Sequence, residues 1–399
     1  MKVAFISLMC YDLLYKKEIF THKDNPDYFD AEILANHPDP VHKWCKMLHI
    51  QGIDIEFWYL SCLSETSKVF KHKYGHRLRR IHGFNLRKYF SKYFSCDMSF
   101  DLSNELKREK ITHILVLPYL MNGNLLIDMF DILVNYCNRN NIKIFPIYGG
   151  GSIDKYGLIK RMVKSMYLKK TDGLFCQSES EINIMVNKYN FPKTKMHYFK
   201  NPLDLENFYP VPKAECAKFL NLDINNRYIL YIGRFAKPKG VYHLINIFPN
   251  LIEKEPQLRL LVIGWGPQEI ELRRLVQKLN CKDVIKIIGF VQNDELKYYY
   301  GIADILLLPS YSEGTPNVLM EAIACNTVCI ATNIGGIPDL LDDGVGLIVP
   351  PKDEKALYDA IVKVLRNGFK INQKKRKELL DEIDLVRKGK ELREILLKT

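Results

Sequence analysis

The chain has 399 residues and 47% hydrophobic content, a size and composition typical of two globular domains. Its formal net charge of +12 is uneven: residues 1–200 carry 30 Lys and Arg against 20 Asp and Glu, whereas residues 201–399 carry 28 against 26. Ten scattered cysteines without a Cys-x-x-Cys pair argue against a disulfide framework or a cysteine zinc site. No apolar run approaches the roughly 18 residues of a membrane span, and no signal peptide is recognisable, so we expect a cytoplasmic protein.

The first half alternates short apolar runs with helical patterns, which predicts a parallel sheet with helices on both faces. The predicted strands are Val3–Leu8, Ile53–Leu60, Ile111–Leu117, Ile142–Ile147, Gly173–Cys176 and Met196–Phe199. Helices are predicted at Leu125–Cys137 and Glu179–Tyr189. Because ligands of such sheets bind at the carboxyl ends of the strands, the loops that follow these strands are the candidate binding regions.

The stretch Thr66–Cys96 holds nine Lys and Arg residues, interleaved aromatic residues and no acidic residue. It predicts either a surface that contacts anionic lipid or a lipid-linked acceptor, or a solvated insertion whose charge only confers solubility. Nucleic acid is the weakest interpretation because no nucleic-acid-binding motif accompanies the charge, and we expect no such partner. A second basic pattern, Lys155–Lys170, predicts either another membrane contact or a helix that faces the core.

Two segments rich in glycine or proline follow in the chain. The glycine run Gly149–Gly151 comes after a predicted strand, where it would either let the backbone approach a phosphate or form a mobile turn; Gly149 and Gly150 are candidate substrate-binding residues. The segment Asn201–Pro210 contains prolines that break any element, and we interpret it as an interdomain linker. The predicted domains are therefore residues 1–200 and 201–375, followed by a charged helix over 376–399.

The second domain opens with a strand that ends in Gly233-Arg234 and continues to Lys239-Gly240. Arg offers a planar fork for phosphate oxygens and Lys a mobile point charge, although a solvated basic turn would have the same composition. The next strand, Leu258–Ile263, ends in Gly264-Trp265-Gly266, a weak dinucleotide signal because the third glycine is missing.

The strand Ala303–Leu308 leads into a polar loop with Glu313 and then into a helix that contains Glu321. Thr315 is predicted as the N-cap of this helix and Pro316 as its first residue. Backbone N–H groups at a helix start bind anions, and the two carboxylates could hold sugar hydroxyls. A pair of glutamates with this spacing alone would be weak support for function, because the chain has 46 acidic residues.

The ordered set of these motifs resembles the retaining glycosyltransferases of family 4. The resemblance covers residues 196–367: the Asn-Pro-x-Asp linker, the Gly-Arg…Lys-Gly segment, the Glu-x7-Glu pair with Gly-x-Pro-Asn after its first Glu, and the Gly-Gly-Ile-Pro-Asp segment that ends at Asp339. It implies the glycosyltransferase-B architecture, in which two facing Rossmann-like α/β domains form an interdomain cleft. It also suggests that the last helix crosses back to the first domain.

The resemblance implies roles for individual residues. Arg234 and Lys239 would neutralise the leaving diphosphate and Glu313 would hold the sugar, which makes these three the catalytic candidates. The substrate-binding candidates are Gly233, Gly264, Gly314, Thr315, Pro316, Asn317 and Glu321, with Glu321 assigned to the nucleotide ribose. Two departures stand out: Gly149 replaces the His of many members, and the glycine-rich loop after the first strand is missing, so the acceptor is not implied.

We therefore expect a hexosyltransferase that moves a sugar, with retention, from a nucleotide-diphosphate donor to a hydroxyl acceptor such as a glycolipid or a lipid-linked or cell-surface glycan. No Asp-x-Asp motif occurs, so no metal and no other cofactor are expected. The expected location is cytoplasmic, with peripheral membrane contact through 66–96 as an option. Two alternatives are a non-catalytic sugar-nucleotide-binding protein, favoured by the missing His, and a nicotinamide-dependent oxidoreductase built on the glycine run.

Overall fold

The computed structural model describes residues 1–10, 40–61, 67–82, 84–85, 97–99, 101–117, 128–149, 157–341 and 344–399. The chain forms two compact units: the first contains Met1–Pro202 and Leu385–Thr399, and the second contains Leu203–Asp384. Each unit is built on a sheet of mainly parallel strands, as the alternation of strands and helices predicts.

The described strands of the first unit are β1 (Lys2–Cys10), β2 (Asp54–Ser61), β3 (Lys68–Lys71), β4 (Arg77–His82), β5 (Phe84–Asn85), β6 (Asp97–Met98), β7 (His113–Val116), β8 (Lys143–Tyr148), β9 (Leu174–Cys176) and β10 (Met196–Tyr198). Eight of them form one sheet in the order β10-β9-β8-β7-β1-β2-β4-β3. All pairs in this sheet are parallel except β3 with β4, and the two-residue strands β5 and β6 pair separately. The antiparallel pair β3–β4 lies inside the basic stretch, where the sequence analysis predicts no strand.

Helices pack on both faces of this sheet because successive strand residues alternate between two cores. In β1, Val3 and Phe5 face one core, whereas Ala4 and Ile6 face the other. The first of these cores is covered by α1 (Pro40–Ile50), and the second by α2 (Leu102–Arg108), α3 (Met129–Arg139), α4 (Leu158–Lys169) and α5 (Glu179–Tyr189).

The second unit has a six-stranded parallel sheet in the order β13-β12-β11-β14-β15-β16, which is the Rossmann order 3-2-1-4-5-6. Its strands are β11 (Arg227–Ile232), β12 (Leu258–Ile263), β13 (Ile285–Ile288), β14 (Ile305–Leu308), β15 (Val328–Thr332) and β16 (Gly346–Val349). Its helices are α6 (Lys213–Leu220), α7 (Val241–Lys254), α8 (Glu269–Lys278), α9 (Leu296–Ile302), α10 (Asn317–Ala324), α11 (Glu354–Asn367) and α12 (Gln373–Ile383). The strands predicted from the sequence for this unit are all present.

The predicted tail helix over 376–399 is two helices. The first, α12, belongs to the second unit, and α13 (Leu385–Leu397) belongs to the first. Asp384 separates them because its backbone is extended (φ −54°, ψ 129°). Within the first unit, α13 packs closely on α1: a Cβ on Gly389 would lie 2.6 Å from the Met47 carbonyl oxygen, so only glycine fits at this crossing.

Candidate functional site

The topological switch point of the second unit lies between β11 and β14, where the strand order reverses. The loops that follow these two strands are residues 233–240 and 309–316. Ligands of open α/β sheets bind at this point, at the carboxyl ends of the strands. The predicted catalytic residues Arg234, Lys239 and Glu313 all lie in these two loops.

A short ion pair joins the two loops. Lys239 Nζ lies 2.8 Å from Glu313 Oε2, and Ser310 Oγ donates to Glu313 Oε1 at 2.7 Å. The Glu313 side chain is only 8% exposed, whereas the Lys239 side chain is 29% exposed. The structure thus brings together a cation and a carboxylate 74 positions apart in sequence, with the cation as the more accessible partner.

Arg234 lies at the exposed edge of the same region. Its guanidinium carbon lies 5.6 Å from the centre of the Trp265 ring, a cation–π distance. Its backbone is fixed as well, because Tyr231 Oη donates to the Arg234 carbonyl oxygen at 3.2 Å. The guanidinium is therefore directed by an aromatic surface, and the sequence analysis did not anticipate this role for Trp265.

The two loops are held in place by backbone contacts that leave no room for side chains. The Tyr311 N–H donates to the Pro238 carbonyl at 2.7 Å. A Cβ on Gly240 would lie 1.9 Å from the Pro309 carbonyl oxygen, and Gly240 has φ +68°. A Cβ on Gly264 would likewise lie 1.9 Å from the carbonyl oxygen of Gly233. The candidate residue Gly264 therefore has a packing role that is sufficient to explain the glycine.

The helix after the second loop begins one residue later than predicted. Pro316, with extended backbone (φ −75°, ψ 118°), is the N-cap of α10, and Asn317 is its first residue. The prediction of Thr315 as N-cap and Pro316 as first helical residue was wrong by one position. Thr315 and Pro316 are buried, whereas Gly314 and Asn317 are partly exposed. The N–H groups of the first turn of this helix lie next to Glu313 in the chain.

Glu321 lies inside α10 and is 5% exposed. Its Oε2 accepts a hydrogen bond from Tyr300 Oη at 2.9 Å. Burial, together with the nearby Glu321 carboxylate, holds the pKa of Tyr300 well above its usual value, so the phenol keeps the proton that it donates. Tyr300 is thus a positioning residue for Glu321, and nothing in the motif itself points to it.

The remaining candidates lie in the first unit. Gly149 is exposed at the end of β8, and a Cβ there would make an ordinary contact of 3.5 Å with Gln177 Nε2. The surroundings therefore do not require glycine at this position. Gly150, the other candidate of the glycine run, lies outside the described residues. So do residues 11–39, which follow β1 in the chain, and residues 118–127 after β7.

The basic stretch differs from the predicted membrane surface in its arginines. Arg79 and Arg80 are 4% and 3% exposed. Arg79 pairs with Glu56 at 2.8 Å and also contacts two carboxylates of α2 and the turn after it, and Arg77 pairs with Asp54 at 2.8 Å. Arg77 and Arg79 thus pair with acidic residues, and Arg80 is buried beside the Phe70 ring, so these three arginines do not form an exposed cationic surface. Lys68, Lys71 and Lys73 are exposed, and residues 86–96 lie outside the described residues.

In the second basic pattern, Lys155–Lys170, several apolar side chains are exposed and one lysine is buried. On α4, Leu158, Ile159, Met162 and Met166 are 60–70% exposed, whereas Lys164 is fully buried. Lys164 Nζ lies 2.7 Å from Asp128 Oδ2 and also contacts Asp131 Oδ2. The outer face of this helix is therefore apolar, with basic residues beside it. Among the described residues, no helix is both long enough and apolar enough to cross a membrane.

Comparison with known proteins agrees with this geometry. The family model "Glycosyl transferases group 1" matches residues 213–383. Those residues form a group 1 glycosyltransferase domain. They include both loops of the site, and the predicted relationship to these enzymes is confirmed.

A curated relative is the phosphatidylinositol N-acetylglucosaminyltransferase gpi3 subunit of Schizosaccharomyces pombe, 28% identical over 222 residues, which are 56% of this chain and 46% of that protein. The chain spans between 36% and 53% of the lengths of the first curated relatives that it matches.

Two solved structures cover 100% of both chains with a TM-score of 0.73: the sucrose-phosphate synthase of Thermosynechococcus elongatus, at 19% identity, and Anabaena HepE in complex with UDP, at 12%. The likeness confirms the glycosyltransferase-B fold with its two Rossmann-like domains.

Proposed function

We propose that the protein is a retaining glycosyltransferase that moves a hexose from a nucleotide-diphosphate sugar to a hydroxyl group of a lipid-linked acceptor. The observation that carries this proposal is the Lys239–Glu313 pair at the switch point of the second unit, with Arg234 beside it. A cation at a strand end binds phosphate, and a carboxylate next to a helix start binds sugar hydroxyls, so the two loops offer complementary groups for one sugar nucleotide. The domain match and the UDP bound to HepE support this class of donor.

In the proposed reaction, the bond between the anomeric carbon and the diphosphate oxygen breaks, and a bond forms from that carbon to the acceptor hydroxyl oxygen. The hydroxyl proton leaves to the diphosphate or to water, and the diphosphate oxygen gains negative charge. Arg234 and Lys239 stabilise that charge, because fixed cations need no reorganisation when the bond breaks. Glu313 holds the sugar hydroxyls together with the backbone of Gly314–Asn317. Since Lys239 already lies against Glu313, the carboxylate also keeps the ammonium group in position before the donor binds.

The ribose of the nucleotide is assigned to Glu321. Its carboxylate is nearly buried, and the hydrogen bond from Tyr300 fixes its orientation. A charged acceptor held in this way loses little conformational freedom on binding. With two cations for the leaving group and no Asp-x-Asp motif in the chain, we propose that turnover needs neither a divalent ion nor another cofactor.

The acceptor and the location are proposed from the first unit. The exposed apolar face of α4 is bordered by basic residues such as Lys169 and Lys170, an arrangement that suits the surface of an anionic membrane. One relative is named for a transfer to phosphatidylinositol, which is itself a lipid. We infer that the protein works on the cytoplasmic face of a membrane, with α4 as the contact rather than the arginines of 66–96.

One feature keeps an alternative open: Gly149 stands where the family resemblance implies a histidine, and its absence would suit a protein that binds sugar nucleotides without turnover. The experiment that separates the two uses a panel of sugar nucleotides, first in thermal-shift assays and then in assays of nucleotide release. Release that increases when lipid-linked acceptors are added supports the transferase. Tight binding of a donor without any release favours the binding protein.

Two further readouts test the finer parts of the proposal. NMR of the product gives the anomeric configuration, and inversion would contradict retention. Activity should persist in EDTA; a loss that magnesium or manganese restores would contradict the metal-free mechanism while leaving the transferase assignment intact.

A further inference from the structure

Three histidines of the first unit form a buried cluster that the proposed reaction does not use. His42 lies on α1, and His72 and His76 lie at the two ends of the turn between β3 and β4. Their exposed fractions are 0%, 1% and 1%. One ring nitrogen of each lies within 4.8 Å of the corresponding nitrogens of the other two.

The fold brings these side chains together by a tight turn and a helix. The His72 N–H donates to the His76 carbonyl at 2.9 Å, and the Gly75 N–H donates to the His72 carbonyl at 2.9 Å, so the turn is closed. Gly75 has φ +93°, a conformation that favours glycine. The closed turn places both imidazoles on one side of the hairpin, and α1 supplies the third.

Packing alone does not account for the choice of histidine. The rings stack, with centroids 4.1 Å apart for His42 and His72 and 4.5 Å apart for His72 and His76. Apolar rings would stack as well without burying polar nitrogens. His76 Nδ1 is buried and has no hydrogen-bond partner among the described residues, so the burial of this imidazole costs free energy whichever of its nitrogens a metal takes.

The spacing of the ring nitrogens suits a metal ion. His42 Nδ1 and His76 Nε2 lie 3.2 Å apart and form a hydrogen bond. Two nitrogens bound tetrahedrally to one zinc ion at 2.0–2.1 Å would lie about 3.3 Å apart. A zinc ion could therefore replace this hydrogen bond with little change in the distance between the two nitrogens.

We propose that His42, His72 and His76 bind a divalent transition-metal ion of the zinc class, which joins the β3–β4 hairpin to α1. The ligand set selects the ion: three neutral nitrogens without a carboxylate suit zinc, cobalt, nickel or copper, and not magnesium or calcium. The role is structural, because the cluster lies in the first unit, whereas the proposed catalytic residues lie in the second.

Binding requires local changes. His72 Nδ1 now accepts a hydrogen bond from the Tyr74 N–H at 3.1 Å. A metal on Nε2 would require the proton of the neutral ring on Nδ1, so this hydrogen bond and the one between His42 and His76 would be lost while metal–nitrogen bonds are gained. The three ligand nitrogens lie within 4.8 Å of one another, and the stacked rings must rotate to direct their lone pairs at one ion.

The first test uses the full wild-type chain. The protein is stripped of metal with EDTA, dialysed, and titrated separately with zinc and magnesium by calorimetry. We expect one zinc per chain, a higher Tm with zinc, and neither effect with magnesium. Cobalt should give the visible absorption spectrum of a four-coordinate nitrogen-ligated ion. Absence of zinc binding to the wild-type chain would overturn the proposal.

The second test locates the site. H42Q and H76Q should each weaken zinc binding by about 100-fold or more, because the loss of a ligand exceeds the 10–100-fold cost of losing a group that only supports one. H76C should restore binding, since a thiolate is also a zinc ligand. H113Q is the matched control, because His113 lies on β7 outside the cluster.

Unchanged stoichiometric binding of zinc in H42Q and H76Q would place the ion elsewhere and overturn the proposal. If these variants do not fold, the zinc stoichiometry and the cobalt spectrum of the wild-type chain decide.

Discussion

In the first unit, Lys164 lies fully buried between Asp128 and Asp131; in the second, Lys239 lies partly exposed against Glu313. Both are lysines paired with carboxylates, yet their surroundings differ. The Lys164 cluster connects α4 to the start of α3, where Asp128 is the N-cap and Asp131 completes the capping box. The Lys239 pair connects two loops at the carboxyl ends of strands, where a ligand can replace water.

We infer from this comparison that position in the topology separates a structural lysine from one that we propose binds the donor. Charge and sequence context do not separate them: both lysines lie in basic patterns, one a candidate for membrane contact and the other for binding a diphosphate. The buried pair should therefore contribute to folding stability and not to kinetics, and the loop pair should do the reverse. Variants of each lysine test this difference, and the others below extend it to neighbouring residues.

The largest expected effect is on stability. K164M would leave two buried carboxylates without their cation, and breaking a buried pair in this way costs about 3–5 kcal/mol. Urea denaturation should show this loss relative to K169M, which removes an exposed lysine from the same helix. A free energy of unfolding equal to that of K169M would contradict the assignment.

The pH dependence of this loss has a definite sign. Burial, and then the charge of Asp128, already raise the pKa of Asp131 to about 6, although Lys164 opposes the shift. Without Lys164 that pKa should rise further. A carboxyl with a raised pKa in the folded state stabilises the fold when protonated and loses this contribution as pH rises through the folded-state value. The deficit of K164M should therefore be smaller near pH 5 than near pH 7.

The second effect is kinetic. K239A removes a cation aimed at the leaving diphosphate, and groups of this kind are worth about 2.7–4 kcal/mol, so kcat should fall by about two to three powers of ten. K237A is the matched control, since Lys237 is an exposed lysine of the same turn. R234K should not retain the activity of the wild-type enzyme, because the point charge of a lysine cannot replace the planar fork of Arg234. Equal kcat values for K239A and K237A would refute the role of Lys239.

The third effect concerns the buried carboxylate. E321Q removes a charged acceptor for the ribose; hydrogen bonds to charged groups are worth about 1.5–3 kcal/mol, so kcat/KM for the donor should fall by about one to two powers of ten. Y300F removes the positioning hydrogen bond but keeps the charge, and should cause a smaller decrease. Both variants need a Tm measurement, because both side chains are buried. If E321Q had the same kcat/KM as the wild-type enzyme, the assignment of Glu321 to the ribose would be refuted.

The sequence predicts the second unit well because its strands are buried on both faces and read as continuous apolar runs. Leu258–Ile263, for example, has the predicted bounds. The site loops were predictable for a different reason, since their residues form an ordered motif. The start of α10 was placed one residue early because Thr315 has the composition of an N-cap, whereas the structure has Pro316 there.

The sequence analysis placed the arginines of the basic stretch on a predicted surface, because a sequence does not show which acidic residues contact them in the folded chain. Arg79 is buried because Glu56 lies on the adjacent strand β2, which pairs with β4 in a register that no local pattern reveals. The hairpin β3–β4 was missed because its strand residues are largely charged. The same limit applies to His42 and His76, which are 34 positions apart and meet only in the folded chain.

The smallest expected effects concern the membrane, and they compare the two basic patterns directly. If α4 is the contact, the protein should co-sediment with anionic liposomes and be released as salt rises, because the Debye length shrinks to about 3 Å at 1 M. M162D should reduce binding strongly, since it places a charge in the apolar face.

Neutralising Lys169 should cost about 1 kcal/mol, or about fivefold in affinity. K68Q, on exposed β3 in the other pattern, should change nothing if α4 alone contacts lipid. A larger loss in K68Q than in the Lys169 variant would return the contact to the stretch 66–96, and equal binding to neutral liposomes would refute the charge component.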